Sequence, residues 1–191
     1  MSALTVACLI GGCAITSMEA KIAPDVAVAQ SNIGQGRTIG VQVVDERPNS
    51  DIGRRAVGGA KIKMEDDIAA IYQASIIEGL SRQGFSPVVG AQSDGPTLKV
   101  EIRSLNHDVS TGWWTAGVEI DSTIKAYAIN TDESYERVYR ASDDDRMAVI
   151  PGAKTSNRKL NAVVSGTLRQ LLEDRKLLEI LAAASGDEAK K

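Results

Sequence analysis

Thr38–Val44, with the sequence TIGVQVV, is the stretch that decides the fold. Apolar residues occupy both alternating positions for much of its length, which is typical of a strand buried on both faces. The polar residues that follow, and then Pro48, end the strand, because proline cannot donate a hydrogen bond to a neighbouring strand. The sequence therefore predicts a central strand here, around which the other elements are placed.

A helix is predicted over Glu65–Gln83, where apolar residues recur at three- and four-residue steps along one face. The acidic residues at 65–67 favour the positive N-terminal end of the helix dipole. Gly84 is typical of a residue that ends a helix. A short strand, Phe85–Val89, is predicted to follow it.

Three further strands are predicted over Leu98–Leu105, Val118–Asn130 and Tyr135–Met147. Apolar and polar residues alternate in the first and in part of the second, as in a half-buried strand. A turn at Asn130–Ser134 joins the last two strands into a hairpin. One face of this sheet is polar, which suits an antiparallel sheet that is open to water on one side.

A last helix is predicted over Asn157–Ala183, with Ser156 as its N-cap. The predicted order of elements is β-α-β-β-β-β-α. We expect a single α+β domain, with two helices packed on one face of a four- to five-stranded mixed or antiparallel sheet. This domain is predicted to occupy residues 37–184, followed by a polar tail at 185–191.

Both cysteines of the chain, Cys8 and Cys13, lie in an uncharged apolar opening, MSALTVACLIGGC. Its last four residues, IGGC, resemble a lipobox, in which small residues let an extended backbone enter a peptidase and the cysteine thiol takes a diacylglyceryl group. A secretory signal normally begins with basic residues, and none precedes Cys13. We interpret residues 1–12 as a signal peptide that has lost its start. The alternative is a buried strand with two ordinary core cysteines.

Residues 13–36 are interpreted as the lipidated Cys13 and a tether, because the segment is without clear hydrophobic periodicity. Acyl chains contribute about 0.8 kcal/mol per buried CH₂. The resemblance to a lipoprotein implies three acyl chains, which would make release from the membrane negligible. The residues after Cys13 are Ala14 and Ile15, and neither is the aspartate that would resemble an inner-membrane retention signal. We therefore expect the periplasmic face of the outer membrane.

The composition of the chain excludes several classes of function. A net charge of −3 argues against a nucleic-acid partner. No stretch approaches the roughly 18 apolar residues that a membrane-spanning helix needs. Once residues 1–12 are removed, Cys13 is the only cysteine left, which excludes disulfides and thiolate metal sites in the body. No cofactor is expected.

Three blocks of the chain resemble a known family. They are Ser104-Leu105 followed by Asp108-Val109-Ser110 and Gly112; Tyr139-Arg140-Ala141-Ser142; and Ser156-Asn157 with Leu160, Ala162 and Val163. In order and spacing, and with a lipobox in front, these blocks resemble the YajG family of small bacterial envelope lipoproteins. The resemblance covers about two-thirds of the chain. It implies an outer-membrane lipoprotein and no catalytic residues.

His107 is the only histidine of the chain. A general base needs an orienting partner and a nucleophile within reach, and Asp108 and Ser110 are the candidates. We favour instead a strand-end turn before Gly112, and we therefore expect no enzyme activity.

Asp143-Asp144-Asp145 is a candidate for Ca²⁺ binding, since hard cations need several oxygen ligands. The spacing does not match an EF-hand loop, and neighbouring residues on a strand point to opposite faces. We expect instead a solvated acidic edge that helps to keep the strand from pairing with neighbouring chains.

Two places are predicted to contact a partner. Arg54 and Arg55 lie in a glycine-rich loop, Asn49–Lys63, with other basic residues that could engage an anionic surface. Trp113 and Trp114 are adjacent, so both rings can hardly enter the core from one strand, and tryptophan is enriched in interface hot spots. The alternative is that both rings cover the end of a hairpin.

These predictions together favour a lipid-anchored, non-enzymatic interaction or assembly subunit that binds another envelope protein. The alternative is an envelope domain that binds a small ligand or lipid in a groove between the sheet and the helices.

Overall fold

The computed structural model describes residues 18–54, 59, 61–64, 67–92, 95–111, 116–131, 133–147 and 152–183. These residues form the strands β1 (Met18–Ala20), β2 (Thr38–Asp45), β3 (Ile62–Met64), β4 (Ser86–Val89), β5 (Thr97–Thr111), β6 (Ala116–Ile129) and β7 (Ser134–Met147). They also form the helices α1 (Ile68–Arg82), α2 (Ala153–Leu172) and α3 (Arg175–Ala182).

Five of the strands form one mixed sheet in the order β4-β2-β5-β6-β7. β2 lies between β4 and β5 and is parallel to both, while β6 is antiparallel to β5 and to β7. α1 packs against β2 and β4, and α2 packs against β6 and β7. The predicted single α+β domain is confirmed, with helices packed against a five-stranded mixed sheet.

Helix α1 carries the chain from β2 to β4, since parallel neighbours need a crossover connection. Its first turn is capped by the Asp67 carboxylate, which accepts hydrogen bonds from two backbone N–H groups at 2.9 and 3.2 Å. The helix therefore begins at Ile68 rather than at Glu65. It ends where predicted, because Gly84 takes a left-handed φ of +85° and the N–H groups of Gly84 and Phe85 bond back to the last turn.

The core between the helices and the sheet is almost entirely aliphatic. Its fully buried side chains include Ile39, Val41, Ile76, Leu80, Leu98, Ile102, Ile124, Leu160, Val164 and Leu168. Tyr72 of α1 is an exception, and its hydroxyl is 3.1 Å from the hydroxyl oxygen of Ser122 on β6. Burial raises the pKa of Tyr72 to about 12, so this pair stays neutral and hydrogen-bonded inside the core.

The predicted helix Asn157–Ala183 is in fact two helices, separated at Glu173 and Asp174. The Asp174 carboxylate accepts hydrogen bonds from two backbone N–H groups of the next turn, at 3.1 and 3.3 Å, and so begins α3. The predicted N-cap is also wrong, because Gly152 caps α2 and Ser156 lies buried inside it. The apolar stripe continues across the break, which is why periodicity alone predicted one helix.

The same Asp174 carboxylate joins α3 to the sheet. Its second oxygen accepts hydrogen bonds from Tyr139 at 2.7 Å, Arg137 at 3.0 Å and Tyr135 at 3.2 Å, all on β7. Burial raises the pKa of Asp174, but the hydrogen bonds from Tyr139, the backbone and Arg137 outweigh it and hold the pKa below its ordinary value. The carboxylate is therefore stabilised in its charged form.

The described part of the predicted tether, residues 18–36, is packed against the domain rather than extended away from it. β1 pairs in parallel with β3 to form a second, two-stranded sheet. The chain then runs along α2, where Asn157, Asn161 and Ser165 accept hydrogen bonds from the backbone N–H groups of residues 21, 23 and 25 at 3.3, 2.6 and 2.9 Å. Met18, Ala20 and Ile22 are also buried, in alternation with exposed residues, but this pattern is too short to predict the packing by itself.

We expect Asp174→Ala to lower the free energy of unfolding by about 3 kcal/mol, because it removes a helix cap and leaves the buried Tyr139 hydroxyl and Arg137 without their acceptor. Asp67→Ala is the matched control. Asp67 caps α1 with the same pattern but is exposed, so its loss is expected to cost only about 1 kcal/mol. Urea unfolding measures both values. Equal losses would contradict the tertiary role of Asp174.

Acid pH provides a second measurement on Asp174. Because the pKa of Asp174 is lowered by folding, its stabilising contribution is complete above the ordinary carboxyl pKa of about 4 and is lost as the pH falls below it. In Asp174→Asn the free energy of unfolding should therefore decline less between neutral pH and about pH 3 than in the wild type. Parallel curves would show that the carboxylate charge is not the stabilising element.

Candidate interaction surface

The face of the main sheet opposite the helices, which we call the open face, is covered by rows of mostly polar side chains. Residues that pair directly across neighbouring strands share a face, so the strand register defines these rows. In order along the strands, the rows across β5, β6 and β7 are Lys99, Tyr127, Glu136; Glu101, Lys125, Val138; Ser104, Thr123, Arg140; Asn106, Asp121, Ser142; Asp108, Glu119, Asp144; and Ser110, Gly117, Arg146.

Cations surround a buried carboxylate at one end of the open face. Glu101 is only 4% exposed and accepts hydrogen bonds from Lys99 at 2.7 Å and from Tyr127 at 3.1 Å, and it also pairs with Arg103. Burial raises the pKa of Glu101, but these hydrogen bonds and neighbouring cations outweigh it and keep the pKa below its ordinary value. Lys125 lies 4.7 Å from the centre of the Tyr127 ring. We call this the basic end, defined by Lys99, Arg103, Lys125 and Arg140.

The opposite end of the open face, the acidic end, consists of Asp108, Glu119, Asp121 and Asp144. Three of these carboxylates fall in a single row, where like charges on neighbouring strands repel. Asp121 accepts hydrogen bonds from Ser104 at 2.8 Å and Asn106 at 3.1 Å. Within the described ranges none of the four has an ion-pair partner. The open face is therefore bipolar along the strand direction.

Arg54, a predicted partner contact, is exposed on the loop between β2 and β3. Its Nη1 donates a hydrogen bond to the Gly59 carbonyl oxygen at 3.1 Å, and its backbone pairs with that of Lys61. Lys61 in turn forms an ion pair with Asp51. The side chains that line a cavity of about 310 Å³ here carry both signs of charge: Arg54 and Lys61 are cations, and Asp51 and Asp108 are carboxylates.

Arg47, shortly before this loop in the chain, does not add a free cation to the basic surface. Its side chain is 5% exposed and binds the Asp45 carboxylate through Nε and Nη2, each at 2.8 Å. The Arg47 hydrogen bonds lower the pKa of Asp45 against the opposing effect of burial. The pair acts inside the protein and neutralises itself.

The Arg54 loop is fastened to β5 through the backbone of His107. The His107 N–H donates to the Ile52 carbonyl, and Gly53 pairs with His107 in parallel. Gly53 has a φ of +130°, and a Cβ built there would overlap the His107 carbonyl oxygen. Only glycine allows this close approach.

The His107 side chain points into the protein and is 1% exposed. Burial lowers its pKa, so the ring stays neutral, and neither ring nitrogen has a hydrogen-bond partner among the described residues. Asp108 and Ser110 lie on the open face, on the other side of the sheet. The geometry therefore separates His107 from the two residues considered as its catalytic partners, and the predicted turn is instead the interior of β5.

The acidic run on β7 is divided between the two faces of the sheet. Asp143 and Asp145 face α2 and bind the Lys159 ammonium group at 2.8 and 3.0 Å. Asp144 alone is exposed on the open face. The predicted solvated acidic edge is therefore correct only for Asp144. Sequence reasoning missed Lys159 because the pairing residues are separated by a whole connection.

Four predicted site residues, Cys13, Arg55, Trp113 and Trp114, lie outside the described residues. The two tryptophans fall in the connection between β5 and β6, which pair along their full lengths. These four assignments stay predictions. The predicted groove between the sheet and the helices corresponds in the described residues to the packed aliphatic core.

A family model described as uncharacterised lipoprotein, Lipoprotein_16, matches residues 24–182. The chain belongs to this lipoprotein family. Membership implies a protein anchored to a membrane of the cell envelope, which confirms the lipoprotein prediction at the level of the family. Among the described residues, no helix has the length and apolar character needed to cross a bilayer. A comparison with curated proteins finds no match.

Several solved structures are similar to the chain at low sequence identity. The protein XCC0632 from Xanthomonas campestris is similar with a TM-score of 0.56 and 11% identity, over 82% of this chain and 92% of that one. A protein provisionally assigned as a lipoprotein from Caulobacter crescentus has a TM-score of 0.39 and 11% identity, over 75% and 92% of the two chains. Lipoprotein GNA1162 from Neisseria meningitidis has a TM-score of 0.26 and 11% identity, over 71% and 97%. The first similarity supports the fold alone, and the TM-scores of the other two are too low to support a shared fold.

We expect Gly53→Ala to detach the Arg54 loop from β5 and to destabilise the protein by more than about 1 kcal/mol, because the new methyl group overlaps the His107 carbonyl at a positive φ. Gly152→Ala is the control, since a Cβ there meets no other atom within 4 Å. Urea unfolding and limited proteolysis of the loop measure the two effects. A Gly53→Ala protein as stable and as protease-resistant as Gly152→Ala would contradict this role of Gly53.

Proposed function

We propose that the protein is a YajG-type lipoprotein, held by acyl chains on Cys13 at the periplasmic face of the outer membrane, where it acts as a non-enzymatic interaction module for another envelope protein. The observation that carries this proposal is the lipoprotein-family match over residues 24–182. The IGGC sequence at residues 10–13, on the N-terminal side of the matched region, supports Cys13 as the acylated residue.

The surface of the domain supports an interaction role rather than a reaction. The lone histidine is buried away from the polar residues of β5, and no group of three or more potential metal ligands occurs among the described residues. The exposed polar features are instead broad: the Arg54 loop with its mixed-charge cavity, and the open face. Broad polar surfaces with few buried reactive groups suit contact with another macromolecule.

Cys13→Ser is expected to abolish incorporation of labelled palmitate and to move the protein from the membrane fraction to the soluble fraction, because the thiol is the acyl acceptor. Cys8→Ser is the matched control and should leave both unchanged, since it alters a residue within the predicted signal peptide. The protein is expressed from its native locus, so that any upstream start is included. Mass spectrometry of the mature N-terminus identifies the modified residue.

The membrane that holds the protein is determined separately by density-gradient separation of inner and outer membranes. We expect the wild type in the outer-membrane fractions, and its digestion by protease only after the outer membrane is opened. An acylated protein found in inner-membrane fractions would contradict the location but not the anchor. An unmodified Cys13 with residues 1–12 still attached would contradict both.

The predicted partner contacts are tested by crosslinking in cells followed by affinity purification. We expect Trp113→Ala/Trp114→Ala and Arg54→Ala/Arg55→Ala each to reduce recovery of crosslinked partner at least about tenfold, as removal of hot-spot side chains does. Lys154→Ala/Arg158→Ala, on the exposed side of α2, is the matched control. Unchanged recovery from both test variants would overturn these contacts, provided that circular dichroism shows each variant folded.

A further inference from the structure

The two ends of the open face carry opposite charge in an arrangement that can complement itself. The open-face side chains occupy every second position of β5, β6 and β7, which contain 15, 14 and 14 residues. The basic end and the acidic end therefore lie on the same three strands. A surface that is to bind a second copy of itself must bring each end against the other, because a C₂ interface uses the same patch twice.

A twofold axis lying between two stacked sheets, perpendicular to β6, produces this arrangement. It turns the rows end for end, so that the first row of one copy faces the sixth row of the other. The resulting contacts are Lys125 with Glu119, Glu136 with Arg146, Tyr127 with Gly117, and Thr123 with Asp121. Lys125 and Glu136 form an ion pair at 2.9 Å within one copy, so the first two contacts replace that ion pair by two ion pairs between the copies. Gly117 has no side chain, and the Ser110 hydroxyl lies beside it, so the Tyr127 ring of the second copy would meet Ser110 there.

The β5 strands of the two copies also face each other with their rows in reversed order. Asp108 of one copy faces Glu101 of the other, but Glu101 is buried beneath Lys99 and Arg103. Asp108 therefore meets these two cations rather than the carboxylate. Two of the three carboxylates that repel one another within one copy, Asp108 and Glu119, thus gain cations from the second copy, while Asp144 faces Val138.

Shifting the second copy by one row in either direction introduces like-charge contacts, although one shift also pairs Lys125 with Asp121 and the other pairs Arg140 with Asp144. One shift places Arg140 against Arg140 and Asp144 against Glu136, and the other places Asp121 against Asp121. Like charges across an interface disfavour association and fix the register. The unshifted alignment is favoured because it places no like charges against each other on β6 or β7.

The size of the open face is close to what a stable interface needs. Three strands of about 14 residues extend about 45 Å at about 3.3 Å per residue, and their width is about 14 Å at about 4.8 Å between strands. The resulting area of about 600 Å² per copy, to which the exposed side of β2 adds, compares with about 800 Å² per partner in a standard interface. Stacked sheets about 10 Å apart are also within reach of opposed lysine and glutamate side chains.

From this geometry we propose that the protein self-associates through its open face, with two copies stacked so that the basic end of each covers the acidic end of the other. The occupant of the open face is therefore a second copy of this chain. The open face adjoins the Arg54 loop, because Asn106 and Asp108 line the cavity beside Arg54. Lys125 and Glu119 do not line that cavity, so a charge exchange at these two positions tests self-association separately from the envelope partner proposed above.

Charge exchange at one contact tests the pairing. Two differently tagged full-length copies are co-expressed, solubilised in mild detergent and purified through one tag, and the recovery of the other is quantified. Lys125→Glu with itself, and Glu119→Lys with itself, should each recover at least about tenfold less than the wild type, since each contact occurs twice and becomes repulsive. Lys125→Glu mixed with Glu119→Lys should restore recovery, as should the double exchange in one chain.

Two controls separate this interface from co-localisation in detergent. Arg175→Glu on α3, away from the open face, should leave wild-type recovery unchanged, and rising salt should reduce recovery of the wild type because the contacts are charged. Circular dichroism establishes that each variant is folded. Recovery that does not respond to the charge changes, or no recovery of the wild type, overturns the proposal. Loss in the single variants with restoration in the mixed pair supports it and leaves the acyl-anchor proposal unaffected.

Discussion

One-sided burial of the main sheet is the constraint on which the rest of the structure depends. α1 and α2 cross the same face, so the aliphatic residues of β2, β5 and β6 are sealed between sheet and helices. Among the described residues no helix covers the other face, which therefore holds mostly polar side chains, many of them charged. That face is large and its polarity is ordered, which makes it the natural place to look for recognition.

Local sequence signals predicted the elements that depend on local physics. Thr38–Val44 forms most of β2, which is an interior strand with Ile39, Val41 and Val43 buried, although β5 and not β2 is at the centre of the sheet. Gly84 ends α1 because it takes a left-handed φ. The break before α3 was hidden, since Asp174 interrupts the helix through its own carboxylate while the apolar stripe continues. The packed segment after Met18 was also hidden, since its alternation of buried and exposed residues is too short to predict the packing.

The candidate site was less accessible to sequence reasoning than the fold. The polar alternation of each strand is visible in the chain, but the alignment of Asp108, Glu119 and Asp144 in one row requires the register of two hairpins. Likewise, Lys159 neutralises Asp143 from the next helix, and no short motif records that pairing. Charges that look free in a sequence acquire or lose partners only when strands and helices are assembled.

The docking of the N-terminal segment on α2 limits how far the domain can stand from a bilayer. Four residues separate Cys13 from Met18, where β1 begins. Even fully extended, this length of chain spans only about 18 Å. Acylation at Cys13 would thus hold the domain close to the lipid headgroups and away from the rest of the periplasm. A partner of the acylated protein would then have to bind it at the membrane surface.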